Sequence, residues 1–412
     1  MSIILISTVV FLVIILILTV AIIFSEKFLV DKGNVKIKIN EGSDKDFEVE
    51  SGQTLLNTLS NQGILLPSAC GGGGTCGVCR CQVKEGGGDL LPTEESHITR
   101  AEAKDNWRLA CQVKVKKDME LEIPEEYFNI KKWECEVISN KNVSTYIKEF
   151  VLRLPPGEHM HFKAGGYIQI DLPKYDIKFS DMDIEDEYKD EWNQYKMFDL
   201  TVKNNEESVR AYSMANYPAE GDIVMLNVRI CPPPWDRAKN QYMNVPPGIS
   251  SSYVFSRKPG DKVTVSGAYG EFFINEDSES EMCYIGGGAG MAPMRSHIMH
   301  LFKTMKTKRK VTFWYGARSV KELFYLDDFK ALEEEFENFT FNIALSDATP
   351  EDKWEGMTGF IHAALRDNYL LEHEAPEDIE YYLCGPPMMI DAVNKMLFDL
   401  GVEKEMIRYD EF

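Results

Sequence analysis

At 412 residues the chain is longer than one typical domain, so two or three domains are expected. Its 66 acidic and 45 basic side chains give a formal net charge of -21, which repels nucleic-acid phosphate and argues against a nucleic-acid partner. The 9 cysteines are too sparse for a disulfide scaffold, and their clustering between residues 70 and 81 favours metal ligation in a reducing compartment.

The chain opens with a long apolar segment. Residues 3–24 carry no charged side chain, and as a helix they would extend roughly 33 Å, enough to cross a bilayer. We therefore predict one transmembrane anchor over residues 1–28, with a buried core helix as the alternative. Lysines follow the segment and none precedes it, so the positive-inside rule predicts that the remaining domains lie in the cytoplasm. A basic leader and a small-residue cleavage site, the marks of a signal peptide, are missing from the sequence.

Three soluble domains are predicted after this anchor. Alternating apolar residues over 33–127 predict a small α+β domain, and short strands separated by Gly and Pro over 130–276 predict an antiparallel β-barrel. Strand and helix patterns alternate over 280–412, which predicts a doubly wound α/β domain. Within the barrel, residues 181–191 carry seven carboxylates and one lysine, and we expect them to form a solvated excursion.

The stretch "SACGGGGTCGVCRC" is the strongest motif in the chain. It supplies Cys70, Cys76 and Cys79, and Cys111 follows in "WRLACQV" as a fourth thiolate ligand for a [2Fe-2S] cluster. The intervening glycines allow the unusual backbone angles that a loop around a cluster requires. A zinc site is the alternative, and Cys81 remains open as a ligand because in a strand it would point to the same side as Cys79. The longer first spacing resembles that of adrenodoxin-like ferredoxins, a resemblance that implies a β-grasp, ferredoxin-like fold and favours Cys111.

The barrel region carries two flavin motifs. "RAYSMAN" resembles the R-x-Y-S/T motif of the ferredoxin-NADP reductase superfamily, which implies that Arg210 holds the flavin phosphates, Tyr212 packs on the isoalloxazine and Ser213 reaches N5. "GISSSYVFSRKPGD" resembles the second phosphate element of the superfamily, with Gly248 and Ser251 opening a helix whose N-terminus favours an anion. The resemblance implies FAD, with FMN left open.

The last domain carries the nicotinamide motifs. In "YIGGGAGMAPMRSHI", Gly286, Gly288 and Gly290 let the backbone approach a diphosphate at a helix N-terminus, and Pro293 replaces the last glycine of the Rossmann fingerprint. "CGPPMM" resembles the closing motif of the same superfamily, which implies that Cys384 and Gly385 border the nicotinamide ring. A small buried cysteine at a strand end is the alternative role for Cys384.

Two further residues bear on catalysis and on the choice of coenzyme. Asp347 in "ALSDA" stands where NADPH-using relatives place a serine and a basic residue, and its carboxylate would repel a 2′-phosphate, so NADH is the expected substrate. In relatives a terminal aromatic covers the flavin, which makes Phe412 a candidate for that role; a frayed tail is the alternative.

Anchor, ferredoxin domain, flavin barrel and nicotinamide domain occur in an order that resembles the F subunits of the bacterial sodium-translocating NADH:quinone reductases. The resemblance implies a protein of the bacterial inner membrane that takes a hydride from NADH on FAD and passes single electrons through the cluster to membrane subunits that reduce ubiquinone and expel sodium. The alternatives are the reductase component of a multicomponent oxygenase and a zinc-bearing scaffold with decayed dehydrogenase motifs.

Overall fold

The computed structural model describes residues 2–29, 33–42 and 44–410. The chain divides into two compact units, Met1–Asn129 and Ile130–Phe412. Phe412, predicted to cover the flavin, lies outside the described residues, so its role stays a prediction.

The first unit begins with the helix that the apolar segment predicts. Helix α1 spans Ser2–Leu29, and its large apolar side chains from Leu5 to Val20 are exposed. Within the described stretches of the chain, no helix combines the length and apolarity needed to cross a membrane.

A five-stranded mixed sheet forms the rest of this unit. Its strand order is β2-β1-β5-β3-β4, and only the β1–β5 pair is parallel. Helix α2 begins after Thr54, whose hydroxyl accepts from Asn57 N, and it buries Leu55 and Leu59 in the core. This sheet with a packed helix agrees with the expected ferredoxin-like fold. The elements are β1 Asn34–Ile39, β2 Phe47–Glu50, α2 Leu55–Asn61, β3 Arg80–Glu85, α3 Arg100–Lys104, β4 Trp107–Leu109 and β5 Met119–Glu122.

The second unit opens with an antiparallel barrel. Six strands pair in the order β11-β8-β15-β6-β7-β12, and a bridge between Met214 and Leu226 joins the two outer strands. The closure removes the free edges of the sheet, as the barrel prediction requires. The elements are β6 Lys131–Ser144, β7 Ile147–Arg153, β8 Tyr167–Leu172, β9 Tyr175–Lys178, α4 Lys189–Gln194, β10 Thr201–Asn204, β11 Ser208–Ser213, β12 Ile223–Arg229, β13 Trp235–Asp236, β14 Gln241–Tyr242, α5 Ile249–Ser256 and β15 Lys262–Tyr269.

In the acidic segment, residues 181–191, five of the seven carboxylates are exposed as expected, but the segment is not solvated throughout. Its apolar residues Ile184 and Tyr188 are buried, and Trp192 is fully buried in the barrel core. The indole Nε1 of Trp192 donates to Thr145 O at 2.8 Å. The apolar positions lie between the carboxylates, so the sequence of the segment looks uniformly charged. These apolar side chains fix the segment to the barrel.

A six-stranded sheet, parallel throughout, completes the second unit. Its order is β19-β18-β17-β16-β20-β21. Strands β17 to β19 are added on one side of β16, and β20 and β21 are added on its other side. Ligands of such sheets bind at the carboxyl ends of the strands where the order reverses, here between β16 and β20. The elements are β16 Met282–Gly287, α6 Met291–Met299, β17 Val311–Ala317, α7 Leu326–Glu335, β18 Phe339–Leu345, β19 Met357–Thr358, α8 Ile361–Asn368, β20 Glu380–Cys384, α9 Pro387–Asp399 and β21 Ile407–Asp410.

Candidate functional site

The four predicted cluster ligands come together in the first unit as two pairs. The Sγ atoms of Cys70 and Cys76 lie 3.3 Å apart, and Cys79 and Cys111 are close enough for each to shift the pKa of the other. A hydrogen bond from Cys76 lowers the pKa of Cys70 to about 3, so that this thiol ionises readily. Thiolates are the form that binds iron. Among the described residues, no group of three or more His, Cys, Asp and Glu side chains has the geometry of a single-ion site.

Glycines shape the loop that carries these thiols. Gly74 has a φ of +77°, and a Cβ there would lie 2.5 Å from Nε2 of Gln112. Gly77 has a φ of +70°, and a Cβ there would lie 2.7 Å from Nδ1 of His97. The loop therefore packs against Gln112 and His97 with no room for a side chain at either glycine, and the residues fit a [2Fe-2S] cluster.

Cys81 has surroundings that differ from those of these four thiols. It is fully buried in β3, opposite Arg108 of β4, and burial raises the pKa of its thiol to about 12. Its electrostatic neighbours are Arg108 and Glu94. The geometry therefore favours Cys111 over Cys81 as the fourth ligand.

A buried ion pair supports the chain next to Cys111. Glu94 and Arg108 have side chains that are 0% and 7% exposed, and their closest N and O atoms are 2.6 Å apart. Glu94 also accepts from the backbone N of Leu109, while Arg108 donates to Gly87 O at 2.8 Å. The pair ties β4, which leads into Cys111, to two neighbouring loops. Sequence reasoning missed it, because one glutamate and one arginine fourteen residues apart carry no motif.

A second polar contact reaches the sulfur of Cys111 directly. Nε2 of Gln112 donates to this sulfur at 3.4 Å, and Thr93 donates to Oε1 of the same amide at 2.9 Å. Thr93 thereby orients the amide so that its N–H faces the sulfur. Cys79 is the main donor to Cys111 and lowers its pKa to about 7, against the opposing effect of burial, and Gln112 contributes further.

The first flavin motif lies on β11, an outer strand of the barrel sheet. Nη1 of Arg210 donates to Val209 O at 2.7 Å, and among the described residues no carboxylate pairs with this guanidinium. The hydroxyl of Tyr212 donates to Oγ of Ser250 at 2.7 Å, and burial raises its pKa to about 12. The arrangement leaves one cation available for a phosphate group and a neutral phenol beside it.

The second flavin motif follows β12 and opens α5. The N-terminus of α5 has Gly248 as its cap, with no side-chain cap, so its first N–H groups are not used by a capping side chain. A Cβ at Gly248 would lie 2.9 Å from Cβ of Cys231, so only glycine fits. The hydroxyl of Ser251 accepts from Cys231 N at 3.1 Å and donates to Gly248 O, so it braces this turn.

Ser213 lies next to a carboxylate that sequence reasoning missed. Its hydroxyl donates to Oδ2 of Asp410 at 2.8 Å, and Asp410 pairs in register with Cys384 on the neighbouring strand. Burial raises the pKa of Asp410, against the opposing hydrogen bond from Ser213. Burial and the charge of Asp410 also raise the pKa of the Cys384 thiol, which is therefore a neutral packing group. The sequence signal was an acidic residue near a chain end, which is typical of a solvated tail.

The predicted nicotinamide turns lie at the switch point of the parallel sheet. Gly286 pairs with Cys384, and a Cβ at Gly290 would lie 2.2 Å from Cys384 O. A Cβ at Gly385 would lie 3.2 Å from Gly287 O. Two glycine turns thus touch through their backbones at the carboxyl ends of β16 and β20. This is the place where a dinucleotide approaches a doubly wound sheet.

The remaining predicted residues flank this edge. Gly288 has a φ of +59° in the turn, and Pro293 is buried in the first half of α6. Asp347 is exposed beyond β18, and its backbone N donates to Arg318 O at 2.8 Å. The structure therefore gathers the glycine turns and Cys384 at the centre of the edge, with Asp347 one strand beyond β17.

Two family models match the chain. Residues 39–116 match the 2Fe-2S iron-sulfur cluster binding domain, and residues 284–395 match the oxidoreductase NAD-binding domain. Three curated relatives match over almost the whole chain, and each is named as the F subunit of a Na(+)-translocating NADH-quinone reductase. They come from Serratia proteamaculans (56% identity, 97% of both chains), Idiomarina loihiensis (56%, 98% of this chain and 97% of the relative) and Klebsiella pneumoniae (55%, 99% of both).

This chain belongs to the family of these F subunits. Identity above half over nearly the full length decides the family, and it confirms the resemblance drawn from the motifs. As a member of this family, the chain is part of an oxidoreductase that has further subunits.

Solved structures agree with the fold of this chain. A cytochrome P450 reductase from Amycolatopsis has a TM-score of 0.64 at 23% identity and covers 92% of this chain and 98% of its own. The ferredoxin reductase in carbazole 1,9a-dioxygenase has a TM-score of 0.59 at 24% identity, with the same coverage. At these identities the likeness shows the fold alone.

Proposed function

We propose that this chain is the electron-input subunit of a membrane sodium-pumping NADH:ubiquinone oxidoreductase. It oxidises NADH at an FAD in its second unit and passes single electrons through a [2Fe-2S] cluster in its first unit to other membrane subunits. The observation that carries the proposal is the convergence of four thiols in a chain whose first flavin motif also meets the nicotinamide edge through the hydrogen bond between Ser213 and Asp410. Relatives named for this activity match nearly the whole length.

Bound flavin would supply the conversion of a hydride into single electrons, and a two-iron cluster carries one electron at a time. The residues of the chain bind the flavin and the coenzyme and orient them. Arg210 and the N-terminus of α5 hold the flavin phosphates, since within the described part of the chain no carboxylate pairs with Arg210 and no side chain caps α5. Tyr212 packs against the ring as a neutral phenol.

Ser213 and Asp410 form the polar side of the reacting centre. The hydroxyl of Ser213 is oriented by its 2.8 Å hydrogen bond to Asp410, which fixes where its oxygen points. Cys384 supplies a small neutral wall at the end of β20, where the nicotinamide ring approaches. Gly290 and Gly385 let the two turns approach closely enough for the coenzyme diphosphate to meet backbone N–H groups.

Cys70, Cys76, Cys79 and Cys111 are the proposed cluster ligands. Their pairing suits two irons, each of which takes two cysteine sulfurs in a [2Fe-2S] cluster. A structural zinc site instead needs four donors around one centre. The paired arrangement therefore supports the cluster over the zinc alternative.

The membrane anchor is the final part of the proposal. Residues 3–24 lack charged side chains. The large apolar side chains of α1 from Leu5 to Val20 are exposed and do not pack into a core. One helix would hold the chain at the bacterial inner membrane with its domains in the cytoplasm, where NADH is available. Because residues 3–24 contain no ionisable side chain, sodium would cross through partner subunits.

Purification from solubilised membranes tests the proposal. The full chain should arrive with integral membrane subunits, and NADH should bleach the flavin band and then produce the EPR signal of one reduced [2Fe-2S] centre. Recovery with a hydroxylase would support the oxygenase-reductase alternative. Absence of both flavin and cluster from an NADH-inert preparation would leave the scaffold alternative.

A further inference from the structure

A cationic side chain lies at the edge of the sheet where the coenzyme ribose is expected. Arg318 directly follows β17, and its carbonyl accepts from Asp347 N at 2.8 Å. Residues at the carboxyl ends of neighbouring strands in a doubly wound sheet recognise the ribose 2′ position. A guanidinium here matches a 2′-phosphate in charge and geometry, which favours the wrong coenzyme for an NADH-using enzyme.

Two carboxylates contact this guanidinium. Nη2 of Arg318 lies 3.3 Å from Oε2 of Glu191 and 3.3 Å from Oε1 of Glu322. The Arg318 side chain is 50% exposed, whereas those of Glu191 and Glu322 are 25% and 12% exposed. Partial burial disfavours the charge of Arg318, but the two carboxylates outweigh it and raise its pKa. The Arg318 guanidinium is thus paired with two carboxylates that are less exposed to solvent than it is.

Both carboxylates are fixed by the barrel. Oε2 of Glu191 accepts from the hydroxyl of Tyr146 at 2.7 Å, and Oε1 of Glu322 accepts from the hydroxyl of Thr145 at 2.5 Å. The carbonyl of Thr145 also accepts the indole N–H of Trp192, the buried residue next to Glu191. The acidic segment is therefore anchored at the point where it presents Glu191 to Arg318.

The local charge then follows by counting. Arg318 contributes one positive charge, while Glu191, Glu322 and Asp347 contribute three negative charges. A 2′-phosphate would bring a further negative charge of about 1.5 to 2 into this surplus. The 2′-hydroxyl of NADH brings none and is not repelled.

We propose that Glu191 and Glu322 are specificity-determining residues that select NADH by neutralising Arg318. The inference rests on the proposed function, because it presumes that this edge binds the coenzyme. It assigns discrimination to a pair of carboxylates, one from the acidic segment and one from the turn after β17, in addition to Asp347. Arg318 could bind a phosphate group, but its ion pairs with these two carboxylates neutralise its charge.

The double variant E191Q/E322Q tests the proposal in the full-length flavin-loaded protein. Glutamine keeps an oxygen to accept from Tyr146 and Thr145, so the packing is retained while two charges are removed. Stopped-flow reduction of the flavin by NADH and by NADPH gives kcat/KM for each. We expect the NADPH/NADH ratio to rise by about tenfold, in line with the worth of one charge-assisted hydrogen bond.

Three further variants isolate the cause. D181N/D186N removes the same charge from the acidic segment at positions that do not contact Arg318, and it should change the ratio by less than about twofold. Adding R318A to the double variant should abolish the gain for NADPH. In the wild-type background R318A should not raise the ratio, because it leaves Glu191 and Glu322 charged and uncompensated; a rise would overturn the inference, and this test does not need the double variant to fold.

A ratio in E191Q/E322Q equal to that of D181N/D186N would overturn the inference, as would a gain that persists without Arg318. Failure of the proposed function gives a different result, because the unmodified protein would then show no flavin reduction by NADH. Measured flavin content in each preparation separates a loss of coenzyme recognition from a loss of the flavin.

Discussion

Replacing Glu94 with Gln removes the negative partner of the buried ion pair in the ferredoxin-like unit. Glu94 accepts from Arg108 at 2.6 Å and from the backbone N–H groups of Leu91 and Leu109, each at 2.9 Å. The carboxylate accepts at both oxygens. In Gln one of these oxygens becomes an NH2 group, which faces a donor rather than an acceptor.

The cost follows from the burial of the pair. Arg108 would keep its charge with its side chain only 7% exposed and without its carboxylate. Breaking a buried pair from one side costs about 3–5 kcal/mol, most of it from the charge left unpaired. We expect Glu94→Gln to lower the free energy of unfolding of this unit by that amount and to reduce cluster retention, since Leu109 lies two residues before Cys111.

Hydrogen exchange of the full-length protein, followed by mass spectrometry of peptides from β3 to β5, measures the loss where it occurs. Glu122→Gln is the matched control, because Glu122 pairs with Lys84 at 2.7 Å in the same sheet but is 56% exposed. Such a surface pair contributes at most about 1 kcal/mol. If Glu94→Gln accelerates exchange no more than this control does, the reasoning about the buried pair is wrong.

The same pair predicts the response to acid. Burial works against the charged form of Glu94, but Arg108 and the two backbone N–H groups outweigh it and lower its pKa below the ordinary 4.5. A lowered pKa in the folded state gives stability that is present above the unfolded pKa and lost as pH falls through the folded one. Protection of the β3 to β5 peptides, calculated relative to the intrinsic exchange rate at each pH, should therefore fall below about pH 4.5 in the native protein and change less in Glu94→Gln.

Three further predictions concern the redox chemistry. Ser213→Ala removes the hydroxyl bound to Asp410 and should slow flavin reduction by NADH roughly tenfold in stopped-flow experiments, with flavin content unchanged; an unchanged rate would exclude the proposed role. Asp347→Ala should narrow the preference for NADH over NADPH severalfold, and an equal ratio of kcat/KM in both proteins would refute its assignment. Gln112→Leu removes the N–H that faces the sulfur of Cys111 and should lower the midpoint potential of the cluster in an EPR-monitored titration, because such hydrogen bonds stabilise the more negative reduced state; a potential that stays constant or rises would contradict this.

The domain types could be predicted from the sequence because each has a strong local pattern. Alternation in "NVKIKI" predicts β1, and the glycine turn after "MCYI" predicts the transition from β16 to α6. The thiol spacing likewise predicts Cys70, Cys76 and Cys79 as ligands, and this assignment stays a prediction. These signals lie within a few residues of one another, so no tertiary contact is needed to recognise them.

Other features depend on contacts between distant segments. Asp410 contacts Ser213 because β21 lies beside β20 at the edge of the sheet next to the barrel. No sequence motif near either residue predicts this hydrogen bond. Trp192 is buried although seven carboxylates precede it, since tertiary packing overrides local composition. The surroundings of Cys81 differ from those of the other thiols because it pairs with Arg108, which the sequence does not show.

The central claim is that four cysteines hold a [2Fe-2S] cluster that receives electrons from NADH. EPR of the anaerobically purified, NADH-reduced protein tests it most directly, with Cys111→Ala compared with Cys81→Ala. The account predicts that Cys111→Ala loses the signal, along with iron and acid-labile sulfide, while its flavin is still reduced, and that Cys81→Ala keeps the signal. A signal that persists in Cys111→Ala and disappears in Cys81→Ala would contradict it.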